Sequence, residues 1–277
     1  MNDLFDLDFE EFGRKNNSSL ICIGGLGTQR SVWPLEFCEF ISQLGYRLVR
    51  FDNRDIGSSQ YFIENSVINT PPYTLEDMAK DTLSLIDKLS LKKVHLVGMS
   101  MGGQIAHIIA SKNDKRISSL TSIMSTTGSS YLPSPSFEAL NILKAVPKDP
   151  NNIEEVLELT MKQQAIIGSP EYPMSKEYLR SVLLKNILRG NNLEGVKRQW
   201  LALMAEGDQR QLISKIRVPT LVIHGENDCL IPKEAALDIS SHISNSTLKI
   251  ISGMGHSLSP KLSLIIAKMI VNFIERL

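Results

Sequence analysis

Short apolar runs alternate with longer amphipathic stretches through the first half of the chain, and few folds accommodate that alternation. Leu20 to Ile23, Arg47 to Phe51, Val94 to Val97 and Leu120 to Met124 read as short, fully buried strands. Between them the clearest helix runs from Thr74 to Leu91, with Leu75, Met78, Ala79, Leu83, Ile86 and Leu89 near helical spacing. Thr74 and Asp77 form a capping box in which Asp stands where Glu is preferred. After Pro219 the rhythm resumes with strands at Thr220 to Ile223 and Thr247 to Ile251 and a last helix from Leu262 to Arg276. Strands that alternate with helices lie parallel and carry helices on both faces, so the fold class is α/β with a mostly parallel central sheet.

The rhythm is interrupted once. The segment PSPSFEALNILKAVPKDP is rich in proline, and helical patterns follow near Ile153–Ile167, Ser175–Arg189 and Leu193–Glu206 with no convincing strand. A helical insertion in an α/β chain usually covers the carboxyl edge of the sheet, where such sheets bind ligands. The expected organisation is therefore a core in two parts, residues 1–128 and 218–277, around a helical cap at 129–217. The plainer alternative is a helical unit that only packs.

Composition removes several function classes. Lys plus Arg (30) equals Asp plus Glu (30), and no long run of like charge is present, which argues against a nucleic-acid groove. The five histidines show no pair at metal-ligand spacing. Cys22, Cys38 and Cys229 are odd in number and none lies in a CxxC, so reduced thiols in a cytoplasm are the simplest reading. The acidic start MNDLFDLDFEEFG lacks the basic and apolar regions of a secretion signal, and no apolar run reaches the roughly 18 residues that span a bilayer. The expectation is a soluble, cytoplasmic protein with no membrane span.

The chemistry gathers where strands end. Gly98-Met99-Ser100-Met101-Gly102 matches G-x-S-x-G, with VHLV before it and the helical QIAHIIA after it, the context that gives the motif meaning. A plain tight turn is one reading. A nucleophile elbow is the other: a serine tipped above a sheet needs a strained turn, and side chains two residues to either side would collide with neighbouring chain. A serine hydroxyl needs a base. His256, in SGMGHSLSP past the last strand, is the best candidate. His224 is a competitor at the end of another strand. His95 lies within a strand, His107 within the helix after Ser100, and His242 in a polar stretch. Asp228, in VIHGENDCLIP, is placed to orient the imidazole, with a turn carboxylate as its plainer reading and Glu226 as the alternative acid. The order Ser100, Asp228, His256 suits this sheet architecture.

Acyl transfer also needs two backbone N–H groups aimed at the developing oxyanion. Met101, after the serine, supplies one. The loop ICIGGLGTQ offers the other, with Leu26 as the donor. That loop lacks both G-x-G-x-x-G and G-K-[ST], so it does not read as a phosphate cradle.

GGLGTQRSVWP, FDNRDIGSS, VGMSMGG, LVIHGENDCLIP and GMGH together resemble the α/β-hydrolase fold superfamily over nearly the whole chain. FDNRDIGSS, PPYTLEDMAKD and SLTSIMSTTG look more narrowly like the group that includes aclacinomycin methylesterase. The resemblance implies a capped serine esterase or hydrolase without a cofactor, with Ser100 as nucleophile, Asp228 as acid, His256 as base, and oxyanion N–H groups on Leu26 and Met101; nothing in this chemistry needs a metal. Two features depart from the family. Gly24-Gly25 stands where many members carry His-Gly, so the support of the oxyanion loop differs. The short N-terminus predicts reduced antiparallel edge strands. Asp55 replaces a glycine common in the superfamily and reads as a structural loop residue, with substrate contact as the other reading.

The expected function is hydrolysis of a small, largely apolar carboxylic ester through an acyl-enzyme. The alternatives are peptidase, perhydrolase, acyltransferase or carbon–carbon hydrolase chemistry on the same triad, or a non-catalytic receptor on the same fold. Serine at position 100 argues against dehalogenase and epoxide hydrolase chemistry, which use a carboxylate nucleophile. Trp33, Met99, Met161 and Trp200 are candidate pocket walls. The expected partner is a small-molecule ester and no nucleic acid; homo-oligomerisation stays open.

Overall fold

The structure, a computed structural model, describes residues 5–15, 18–63 and 70–277; the first four residues of the acidic start lie outside them. The chain runs β1 (Phe9–Phe12), β2 (Ser19–Ile23), a 3-10 turn (Arg30–Val32), α1 (Leu35–Gln43), β3 (Arg47–Phe51), α2 (Leu75–Lys88), β4 (Val94–Met99), α3 (Met101–Ser111) and β5 (Ile117–Ile123). Helices α4 (Phe137–Lys144), α5 (Ile153–Ile167), α6 (Lys176–Arg189), α7 (Leu193–Glu206) and the single turn α8 (Arg210–Ile213) follow. The chain closes with β6 (Thr220–Gly225), α9 (Glu234–His242), β7 (Ser246–Ile251) and α10 (Pro260–Ile274).

The seven strands form one sheet in the order β1-β3-β2-β4-β5-β6-β7. All pairs are parallel except β1 with β3. This order contains a reversal. From β2 the chain moves outward to β3, then crosses back to β4 on the other side. The loops leaving β2 and β4 therefore diverge, and a crevice opens at the carboxyl edge between them, where ligands bind in sheets of this kind.

Period-two alternation sorts the strand side chains into two cores. Leu20, Cys22, Leu48, Val97, Ile123 and Ile223 pack with α1 and α10 on one face. Ile21, Ile23, Val49, Leu96, Leu120 and Val222 pack with α2, α3 and α9 on the other. Both faces are covered, so strands β2, β3 and β4 are buried along their whole length.

The sequence expectations hold for the strands, with shifts of one to three residues at their ends. The helix expected from Thr74 is α2, and its capping box forms: Asp77 N donates to Thr74 Oγ1 at 3.2 Å and Thr74 N to Asp77 Oδ2 at 3.0 Å. Leu83 and Leu89 are only half-buried there, and Leu85 takes the core position instead. Several elements were not anticipated, α4 and β1 among them. Helix α4 hides in the proline-rich segment, because Pro133 and Pro135 precede its N-cap, Ser136, whose hydroxyl accepts from Ala139 N, and Pro147 and Pro150 follow its end. Strand β1 is the single antiparallel edge strand among the described residues, in line with a reduced N-terminal edge. No helix of the described residues is long and apolar enough to cross a membrane.

Buried ion pairs tie the loop after β3 to the helices around it. Arg54 grips Asp81 of α2 through Nε at 2.6 Å and Nη2 at 2.7 Å, and lies over the rings of Phe5 and Tyr73. Asp55 has positive φ (71°) and is fully buried. It accepts from Tyr73 Oη at 2.8 Å and from Arg198 of α7 twice at 2.8 Å. This is the structural role expected of Asp55. Arg189, at the end of α6, reaches Asp8 and Asp52 at 2.7 Å each.

Removing one partner of a buried pair strands the other's charge. Asp81→Ala is expected to cost about 3–5 kcal/mol of stability. Urea unfolding checks this; an unchanged midpoint would mean that Arg54 finds other acceptors.

Candidate active site

Ser100 stands alone between β4 and α3 with φ 54° and ψ −123°, a backbone region that side chains rarely adopt. Two close approaches explain the flanking glycines. A side chain at Gly98 would meet the Gly102 carbonyl oxygen at 2.3 Å, and one at Gly102 would meet the Ile23 carbonyl oxygen at 2.2 Å. Only glycine fits either place. The strained residue is held from its neighbours: Ser100 N donates to Ile123 O at 2.9 Å, Gly103 N to Ser100 O at 2.9 Å, and Ser125 Oγ to Ser100 O at 2.8 Å.

Three strand ends bring their side chains together. Ser100 Oγ lies 3.0 Å from His256 Nε2, and His256 Nδ1 lies 2.7 Å from Asp228 Oδ2. Asp228 Oδ1 accepts from the backbone of Leu230 at 2.9 Å and Ile231 at 2.8 Å, which aims Oδ2 at the ring. Burial would raise the Asp228 carboxyl. The adjacent His256 and hydrogen bonds from His224 and His256 overcome it and hold the group well below the usual carboxylate range. An ionised carboxylate only accepts, so His256 Nδ1 carries the proton and Nε2 of the neutral ring is free to accept from Ser100.

The competitors lie elsewhere. His224 is fully buried; its Nε2 donates to Ile231 O at 2.8 Å and stands 3.4 Å from Asp228 Oδ2, so it braces the acid rather than reaching Ser100. Glu226 is exposed and accepts from Ser252 at 2.8 Å. His95 sits between Ser18 and Ser119, and His107 between Gln209 and Ser122. Burial pushes both rings down to about 4. His242 caps the end of α9 near Asp238.

The loop after β2 presses on Ser100: a side chain at Gly25 would stand 3.2 Å from Ser100 Cβ. Among the described residues no protein acceptor takes the N–H of Leu26 or of Met101. The loop is supported by residues that the sequence did not single out. Asn53 Nδ2 donates to Gly24 O at 3.1 Å, and Gln199 of α7 accepts from Gly27 N at 2.9 Å. The loop that carries His256 is held by the end of α5 and the segment after it. His256 N donates to Ile167 O at 2.7 Å, and the Ser169 hydroxyl accepts from Gly255 N and donates to Ser257 O, both at 3.0 Å. No short-range motif marks these contacts, because each joins residues more than 25 positions apart.

The pocket expectations need correction. Trp33 exposes no surface and packs on Phe37 in the core beside α1, so it is a packing residue rather than a pocket wall. Met99 is almost as enclosed in the same cluster. Met161 and Trp200 keep partly exposed faces on α5 and α7.

Known proteins resemble this chain along most of its length. A family model described as the alpha/beta hydrolase fold matches residues 19–260. A rhodomycin D methylesterase of Streptomyces peucetius is 25% identical, over 93% of this chain and 91% of its own. A 2-hydroxy-6-oxononadienedioate/2-hydroxy-6-oxononatrienedioate hydrolase of Pseudomonas putida is 26% identical, over 87% of this chain and 82% of its own. The crystal structure of the enol-lactonase from Burkholderia xenovorans LB400 superposes with a TM-score of 0.77 at 19% identity, covering 99% of this chain and 98% of that one.

The buried titratable groups predict a two-stage acid profile. His95 and His107 have lowered pKa values in the folded state, so their contribution is complete above about pH 6.5 and is lost as pH falls toward 4. Asp228 is also lowered, so its contribution is complete above the usual carboxylate range and is lost as pH falls below about 4. Urea midpoints measured from pH 7 to 3 are expected to fall in both stages for the wild type. Asp228→Asn is expected to keep the upper stage and reduce the lower one, to which Asp77, Asp114 and Asp208, also held low, still contribute.

Proposed function

The chain belongs to the α/β-hydrolase fold family and is a hydrolase, and we propose that it cleaves a carboxylic ester with Ser100 as nucleophile, His256 as base and Asp228 as acid. The observation that carries this reading is the unbroken hydrogen-bonded line from Ser100 Oγ through His256 to Asp228, at 3.0 and 2.7 Å. Ser100 attacks the ester carbonyl while His256 Nε2 takes its proton. The oxyanion lies on the N–H groups of Leu26 and Met101. The imidazolium, stabilised by the ionised Asp228, then protonates the leaving alcohol. Water attacks the acyl-enzyme by the same steps and frees Ser100. This line of groups needs no metal or organic cofactor.

Residues 129–217 serve in this reading as a helical cap over the site, with the half-buried Met161 and Trp200 as candidate pocket walls. The named methylesterase relative supports an ester. The Pseudomonas putida relative favours a second reading, hydrolysis at a carbon–carbon bond by the same three residues.

Intact-mass labelling with a fluorophosphonate at neutral pH tests the nucleophile. One adduct is expected on the wild type and none on Ser100→Ala; no adduct on the folded wild type with a small probe would sink the reading. A panel of esters and vinylogous 1,5-diketones then separates the two substrate classes. Against the better substrate, Ser100→Ala or His256→Ala is expected to lower kcat about a millionfold and Asp228→Asn about ten-thousandfold.

A further inference from the structure

We infer that Gln199, a residue of the helical insertion, is a positioning residue for the oxyanion N–H of Leu26. The inference rests on the proposed hydrolytic reading for its catalytic consequence and on geometry for the rest.

The direction of the Leu26 N–H is set by rigid peptide planes, since each residue has only two soft dihedrals. Three successive planes are pinned. The plane between Gly24 and Gly25 is held at its oxygen by Asn53 Nδ2 at 3.1 Å. The plane between Gly25 and Leu26, which carries the Leu26 N–H, is held at its oxygen by Thr28 through Oγ1 at 3.0 Å and N at 3.3 Å. The plane between Leu26 and Gly27 is held at its nitrogen by Gln199 Oε1 at 2.9 Å. Leu26 sits between the last two planes. Fixing both of them fixes its φ and ψ and therefore the aim of its N–H.

The first two ties come from the loop after β3 and from the oxyanion loop itself, and the third comes from α7 alone. Gln199 is fully buried, and its other end donates from Nε2 to Arg54 O at 2.8 Å. Both ends of the amide are thus used, one on the oxyanion loop and one on the loop after β3. Burying an amide is costly unless it is satisfied in this way, and a Leu or Met of similar size would pack without that demand. Val196, one turn earlier in sequence on α7, closes on the same spot: a side chain at Gly27 (φ 65°) would meet it at 3.2 Å. Gly24 and Gly25 offer no side chain that could hold the loop from within, and Gln199 of α7 ties it from outside.

Amide hydrogen exchange tests the tie without any substrate. In the wild type, the Gly27 N–H is expected to be protected although it lies in a loop; an unprotected Gly27 overturns the inference. In Gln199→Met, shown to be folded by circular dichroism and thermal melting, exchange at residues 25–28 is expected to rise at least about tenfold, and unchanged exchange again overturns it. The catalytic consequence is read as a split between kcat and KM. In the same variant kcat is expected to fall about tenfold to a hundredfold, short of the loss of a whole donor, with KM within about twofold, as for a group that acts on the transition state. Equal kcat overturns the positioning role, and a rise in KM alone assigns Gln199 to substrate binding instead. A wild type with no turnover that depends on Ser100 would sink the hydrolytic reading, while the exchange result still decides the tie.

Discussion

The left-handed backbone at Ser100 is the constraint on which the rest of the site depends. A non-glycine residue held there costs on the order of 1–3 kcal/mol, so it persists only where its surroundings over-determine it. Here they do. Gly98 and Gly102 let the helix start, the β4 strand and the Ile23 carbonyl crowd into one place. Hydrogen bonds to Ile123 O and from Ser125 Oγ and Gly103 N then hold the serine on both sides. The strain lifts Ser100 Oγ out of the sheet toward His256, where an unstrained strand-to-helix turn would leave it among the neighbours.

The sheet supplies the other groups by register and reversal. Strands β2, β4 and β6 end along one edge, and the loop beyond β7 returns to it with His256. The reversal between β2 and β4 opens the space into which the Leu26 loop folds against Ser100. The helices between β5 and β6 then bind both flanks. The end of α5 and the segment after it hold the His256 loop through Ile167 O and Ser169, and α7 holds the loops after β2 and β3 through Gln199 and Arg198. Buried, fully satisfied polar contacts of this kind specify one arrangement more than they add stability. The insertion is therefore part of the architecture that sets the site, and a lid that swung freely would break these bonds each time.

Much of the site was legible because its chemistry is written in short stretches. The elbow needs glycine two residues to either side of a serine between a strand and a helix, and that fits in ten residues. Asp228 and His256 each follow an apolar run that ends at a turn. Features carried by contact between distant segments were not legible. Trp33 looked like a pocket wall because it follows the oxyanion loop, yet it packs into the core against Phe37, since the 3-10 turn at Arg30–Val32 turns the chain inward. Helix α4 was obscured by prolines that lie just outside it. Gln199 carries no signal at all, as a polar residue in a helical pattern reads as solvent-facing until its neighbours are known.

From the sequence alone came the class of fold, the strands and most helices, and the residues that the proposed chemistry requires, because hydrophobic period, capping and turn residues act within a few positions. The tertiary structure decided which histidine faces Ser100, which carboxylate faces that histidine, and which residue of α7 ties the loop after β2. Each of these is a distance of about 3 Å between residues 28 to 172 positions apart. Such distances are set by the packing of the sheet and the insertion as a whole, and no local pattern encodes them.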